Sequence, residues 1–229
     1  MADELRRTKA VLEAEFRDMQ DFEFTVADGR LYLLQTRTAK RTPWAALRVA
    51  ADLVRESRIS RQEALERLRP YELERIERTR LGEPAGAVPL ASAVTASIGV
   101  ASGVLTFDSK RAAELASRGQ PVILARTEIE TADIEGIAAA AGILTTTGGR
   151  TSHAAVVARQ LGKVCLVGCS ELSIDANGRE CRIAGRHLSE GEPVTLDGDA
   201  GRVYAGSLPV IHERPAQELA EVRAWRRQA

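Results

Sequence analysis

The residues with the strongest chemical character lie together in Gly148-Gly149-Arg150-Thr151-Ser152-His153. Two glycines follow the apolar pair Ile143-Leu144 closely, so the backbone can turn sharply and admit a ligand with no β-carbon in the way. Thr151 and Ser152 are favourable helix N-caps, and Ala154 to Ala158 continue as a helix that Gly162 ends. His153 then sits in the first helical turn, where unpaired amides and the positive end of the helix dipole make an anion site. The Thr151 and Ser152 hydroxyls and the Arg150 guanidinium add donors for phosphate oxygens. A neutral imidazole is a nucleophile. Its attack on a phosphoryl group would leave a phosphohistidine whose charge the same N–H groups stabilise. These residues predict a phosphate-binding loop and a covalent phosphoryl carrier. They also fit a second reading, in which His153 is a capping or half-buried polar residue and Gly148-Gly149 a tight turn; a short motif needs its context to separate the two.

The elements that must position this loop are legible from periodicity. Gly99 to Phe107 reads as a strand and Ser109 to Arg118 as a helix ending at Gly119. Pro121 to Ala125 reads as a short buried strand and Thr131 to Ala141 as an alanine-rich helix; Ile143 and Leu144 begin the strand that enters the loop. Beyond the helix at 152–161 come a strand at 164–167, a hairpin around Asn177-Gly178 and another around Asp197-Gly198. Together, residues 90–208 predict a compact α/β domain. Upstream, Leu5, Leu12, Phe16 and Met19 mark one helical face, and two apolar runs flank Asp28-Gly29 as a hairpin. Thr42-Pro43 opens a helix, and Ser60 with Glu63 has the capping-box spacing of another. Residues 41–89 therefore read as a helical linker, with Gly82 to Pro89 breaking the pattern as the candidate interdomain linker. In the tail, 209–229, Leu219, Val222 and Trp225 share a helical stripe. The hairpin within 1–40 leaves one sheet face uncovered, so it is expected either to be mobile or to pair two copies through its exposed edge.

Composition narrows the function classes. Lys plus Arg and Asp plus Glu both number 32, giving a formal net charge of zero. Without a basic excess, and with basic residues interleaved among acidic ones, nucleic acid is not the expected partner. No run reaches the roughly 18 apolar residues of a membrane span, and the charged start, Met1 to Arg7, is no signal peptide. Three cysteines fit a reducing compartment, so the cytoplasm is expected. Cys165 and Cys169 lack a second Cys/His pair and read as core thiols; His187 and His212 read as surface histidines, and Trp44 and Trp225 as helix-packing residues.

The stretches Asp133-Ile134-Glu135-Gly136, Gly142-Ile143-Leu144-Thr145 and Gly148 to Arg159 resemble the pyruvate, phosphate dikinase family. So do Gly162-Lys163, Val167-Gly168-Cys169, Leu196-Asp197-Gly198 and Gly201-Arg202-Val203-Tyr204, and the resemblance covers most of the chain. Phosphoenolpyruvate synthase and enzyme I of the sugar phosphotransferase system share the Gly-Gly-x-Thr-Ser-His core. The resemblance implies a swivelling β/β/α phosphohistidine domain, preceded by a helical linker and a β-hairpin remnant of an ATP-grasp domain. It implies that His153 is phosphorylated through Nε2, between ATP and pyruvate or phosphoenolpyruvate, and that Gly148, Gly149, Arg150, Thr151 and Ser152 bind the phosphate. Thr151 aligns with a threonine under regulatory phosphorylation in plant-type members. Asp18 to Phe24 and Leu34 to Arg37 resemble the end of the family's ATP-grasp domain, where residues matching Glu23, Gln35 and Arg37 help hold Mg-ATP. Mg²⁺ would be bound at Glu23 only within a complete nucleotide site, and no tightly bound cofactor is expected. The implied partners are an ATP-grasp domain and a phosphoenolpyruvate/pyruvate barrel, in cis or in trans; the chain starts near the end of the former and stops where the latter would begin.

Two departures stand out. Ser97-Ile98-Gly99 replaces the family's Ser-Pro-Gly, and Thr147 stands where members carry Arg before the glycine pair. A non-catalytic regulatory or binding module that keeps the swivelling fold is the alternative, and a carrier for another acceptor is a third; labelling of His153 separates the regulatory module from both carriers.

Overall fold

Cap chemistry sets the helix starts in the first of two compact units, Met1–Arg78 with Arg214–Ala229; the second is Thr79–Glu213. The computed structural model describes residues 2–82, 86–175 and 177–228. Glu83-Pro84-Ala85 of the candidate interdomain linker, and Ala176 beside the Asn177-Gly178 turn, lie outside them.

In the first unit, helix α1 (Ala2–Phe16) leads into strands β1 (Gln20–Ala27) and β2 (Arg30–Thr38). Their turn has Asp28 at φ 50° and Gly29 at φ 74°, the doubly positive geometry that suits a two-residue hairpin. Helix α2 (Pro43–Arg55) is capped by the Thr42 hydroxyl, which accepts from the Ala45 amide at 3.3 Å. Helix α3 (Arg61–Leu68) is capped by Ser60, which accepts from the Glu63 amide at 3.1 Å. The reciprocal half of the expected capping box does not form, because the Glu63 carboxylate turns to Arg17 and Arg67, 2.7 Å from each. Leu47, Ala51 and Leu68 pack with Val222 and Trp225 of the C-terminal helix, Ala216–Gln228, in one core. Trp44 packs at its edge beneath the Arg78 guanidinium, 4.4 Å from the ring. Phe24, Val26, Tyr32, Leu33 and Leu34 of the hairpin remain exposed.

The second unit opens with β3 (Arg78–Leu81), β4 (Ala91–Ser92), β5 (Val94–Ser97) and β6 (Val100–Thr106). Then α4 (Ser109–Ser117), β7 (Val122–Arg126), α5 (Ile134–Ala139), β8 (Gly142–Thr145), α6 (His153–Gln160) and β9 (Val164–Val167) alternate. Six further strands follow: β10 (Leu172–Ile174), β11 (Glu180–Ile183), β12 (Arg186–Ser189), β13 (Pro193–Asp197), β14 (Arg202–Ala205) and β15 (Val210–Glu213). The main sheet runs β4-β14-β13-β6-β7-β8-β9-β5, parallel from β6 to β9 and antiparallel outside. Two-sided burial explains the unbroken apolar runs of Val122 to Ala125 and Val164 to Val167. On one face, Ala112, Leu115, Ile137, Ala154, Ala155 and Ala158 bring α4, α5 and α6 down onto Val122, Leu124, Cys165 and Val167. On the other, Leu172, Cys181, Ile183 and Leu188 of the antiparallel sheet β10-β11-β12 close over Ile123, Leu144 and Leu166. The layers are thus sheet, sheet and helices. The chain is mixed α/β.

The helix read over 131–141 is shorter. A 3₁₀ turn, Thr131–Asp133, precedes α5. At the far end the Ala141 amide bonds the Val122 carbonyl at 2.9 Å, so the sheet takes the residue that the alanine run would have kept helical. All three cysteines are buried, and burial pushes the Cys165 and Cys181 thiols up to about 12. No described helix is long and apolar enough to cross a membrane.

Candidate functional site

The loop Thr146–Ser152 joins the C-terminal end of β8 to α6, and both legs are tied down by backbone. On one leg, the Thr146 amide bonds the Arg126 carbonyl and the Thr147 amide the Thr127 carbonyl, each at 3.1 Å. The Thr147 hydroxyl donates to the same Thr127 oxygen at 2.9 Å, so Thr147 braces the loop. The buried Thr145 hydroxyl donates to the Thr147 carbonyl at 2.6 Å. On the other leg, the Gly168 amide bonds the Thr147 carbonyl at 3.3 Å and the Cys169 amide the Thr145 carbonyl at 2.9 Å.

Gly148 turns the chain at φ 103°. The Ser152 amide bonds the Gly149 carbonyl at 2.9 Å, and Ser152, at φ −63° and ψ 160°, is the N-cap; its hydroxyl accepts from the Ala155 amide at 3.4 Å. Thr151 is exposed in the turn before the cap, so of the two candidate caps only Ser152 serves. His153 is the first residue of α6 and is exposed; among the described residues its imidazole has no hydrogen-bond partner. The first amides of the helix point out of the turn without intrahelical acceptors. Arg150 is exposed beside them. The loop therefore presents an unencumbered imidazole, a helix N-terminus, a guanidinium and two hydroxyls, a set that fits phosphate oxygens next to a nitrogen nucleophile.

Thr127 and Gly168 reach the loop from other strands' ends and Arg159 from the far end of α6, and no local pattern marks such contacts. Gly168, at φ 66°, lies so close that an added β-carbon would meet the Gly148 carbonyl oxygen at 2.8 Å. Gly168→Ala is expected to cost about 2 kcal/mol through strain at positive φ and displacement of that carbonyl. Urea unfolding of the variant checks it, and an unchanged midpoint would refute the close approach.

Glu23, Gln35 and Arg37 lie in the other unit, exposed on one hairpin. Glu23 is the direct partner of Gln35 across the pair, with a bulge after it. Same-face alternation puts Asp21 and Arg37 beside them, and Arg37 donates to Asp21 at 2.8 and 3.0 Å. Glu23 offers one carboxylate, and Mg²⁺ held there would take its remaining ligands from phosphate and water oxygens. No group of three or more His, Cys, Asp or Glu able to hold a metal occurs among the described residues.

Residues 119–201 match the family model described as PEP-utilising enzyme, mobile domain. The chain is 41% identical over 217 residues to pyruvate, phosphate dikinase of Clostridium symbiosum, covering 93% of this chain and 25% of that protein. It is 41% identical over 223 residues to the Rickettsia prowazekii enzyme, and 38% identical over 224 residues to pyruvate, phosphate dikinase 2 of Zea mays. In both cases 97% of this chain and 25% of the relative are covered. A solved structure, the NMR solution structure of an Enzyme I protein, is 21% identical and aligns with 47% of this chain and 37% of that one at a TM-score of 0.27. The chain spans about a quarter of the length of the curated relatives it matches.

Proposed function

We propose that this chain, a region that matches members of the pyruvate, phosphate dikinase and PEP-utilising mobile-domain families, is a phosphoryl carrier with His153 as the carrying residue. The observation that supports it is the placement of an exposed, unpartnered imidazole at the first position of α6, directly after a glycine loop braced on both legs. The Nε2 lone pair attacks the donor phosphorus, an N–P bond forms, and the donor P–O bond breaks with its electron pair leaving on oxygen. The amides and hydroxyls of Gly149 to His153 take the phosphoryl oxygens, and Arg150 adds a positive charge. The reverse attack, by an acceptor oxygen, returns the imidazole.

In this reading the β/β/α unit is the swivelling element. It carries the group between an ATP-grasp domain and a phosphoenolpyruvate/pyruvate barrel. The hairpin of the first unit belongs to a nucleotide site, in which Glu23 would hold Mg²⁺ and Gln35 and Arg37 would help hold the nucleotide. Mg²⁺ there would neutralise phosphate charge.

The test is incubation of the chain with labelled ATP or phosphoenolpyruvate, with and without separately supplied dikinase partner domains. Acid-labile, alkali-stable label mapped to His153 by mass spectrometry is expected. A folded chain that stays unlabelled with both partners present would overturn the carrier reading and favour the regulatory module.

A further inference from the structure

Arg159 is an exposed arginine on α6, six residues beyond His153. Six residues of α-helix turn the two side chains roughly 120° apart, so Arg159 does not share the histidine's face. Its guanidinium instead forks to two backbone oxygens. One nitrogen donates to the Arg150 carbonyl at 2.8 Å and another to the Ala96 carbonyl, on edge strand β5, at 3.0 Å. The Arg150 oxygen belongs to the same peptide unit as the Thr151 N–H. In a planar trans peptide these two groups point in opposite directions. Anchoring the carbonyl on Arg159 therefore turns the Thr151 N–H away from it, and among the described residues that N–H has no acceptor.

We infer that Arg159 is a positioning residue for the phosphoryl-carrying loop: by anchoring the Arg150 carbonyl to β5 it presents the Thr151 N–H as a ready donor to a phosphoryl oxygen on His153. The inference rests on the carrier reading above. A planar fork is needed to hold two carbonyls at once, and lysine, with one ammonium on a flexible stem, cannot reproduce it.

Phosphoramidate, which transfers its phosphoryl group to an imidazole with release of ammonia, tests this on the full chain without partner domains. In the parent, phosphorylation of His153 is expected to move the Thr151 amide resonance downfield. In Arg159→Met that shift is lost, the amides of Arg150 to Ser152 exchange with solvent about tenfold faster, and labelling slows about tenfold. The unfolding midpoint stays close to the parent's. Arg159→Lys, which retains the charge, is expected to show the same loss of the Thr151 shift and guards against a methionine variant that folds poorly. If the parent takes no label at all, the carrier reading fails. If the parent labels and both variants keep the Thr151 shift, the exchange rates and the labelling rate, Arg159 positions nothing and the inference is overturned.

Discussion

Replacing His153 with alanine is expected to abolish phosphoryl labelling from ATP or phosphoenolpyruvate, with partner domains supplied, while leaving the unfolding midpoint where it was. The separation follows from the residue's surroundings. The imidazole is exposed and unpartnered among the described residues, so its removal opens no cavity and orphans no donor. The helix start is held by Ser152, which caps the Ala155 amide, and alanine is the better helix former. A stability change within about 0.5 kcal/mol is expected, as for other surface substitutions. The other two histidines lie outside this loop. His187 is bonded to Glu180 at 2.8 Å on strands of the small sheet, and His212 lies on β15. Intact-mass spectrometry and urea unfolding on the same sample decide the matter; label that persists in His153→Ala would place the nucleophile elsewhere.

What the sequence disclosed about this loop was local, and that is why it was legible. A glycine pair, a serine cap and an alanine-rich continuation determine each other's geometry within a turn or two, so the placement of His153 at a helix start follows from neighbours alone. The bracing did not. Thr127, Gly168 and Arg159 contact the loop because β7, β9 and α6 converge there, and such convergence leaves no periodic mark.

The same distinction runs through the fold. Asp28-Gly29 and Asn177-Gly178 announced their turns through residues that favour positive φ. The return from β11 to β12 went unread because it uses Ala184 at φ 48°, a residue that seldom adopts that conformation. Strand β4, Ala91–Ser92, is too short for any alternation to show. The nucleotide-site residues were read from resemblance. The hairpin register brings Glu23 and Gln35 together, and Asp21, unassigned in the sequence, is what holds Arg37.

Asp133→Ala should do the opposite of His153→Ala, unfolding the chain early while sparing the chemistry at low temperature. The Asp133 carboxylate is buried, 5% exposed, and joins the start of α4 to the 3₁₀ turn before α5. It accepts from the Ser109 hydroxyl at 2.5 Å, at the start of α4, and from the Glu130 amide at 3.0 Å, where the 3₁₀ turn begins. It also faces the Arg126 Nε at 3.5 Å, a buried nitrogen with no hydrogen-bond partner among the described residues. Alanine would leave a hydroxyl and an amide without their acceptor and a guanidinium without its facing charge. Hydrogen bonds to a charged group contribute about 1.5–3 kcal/mol each, and breaking a buried ion pair costs about 3–5. The outer part of Arg126 reaches solvent, which keeps the loss near the lower end, so about 3 kcal/mol is expected, or a melting temperature about 10 °C lower. Because Ser109 and Asp133 share one bond, Ser109→Ala should cost less and the double variant less than the sum of the two. Strictly additive losses would mean that the two do not act together. Labelling of His153 at 4 °C, where the variant remains folded, should match the parent; a carrier lost at that temperature would show that the α4–α5 seam shapes the loop itself.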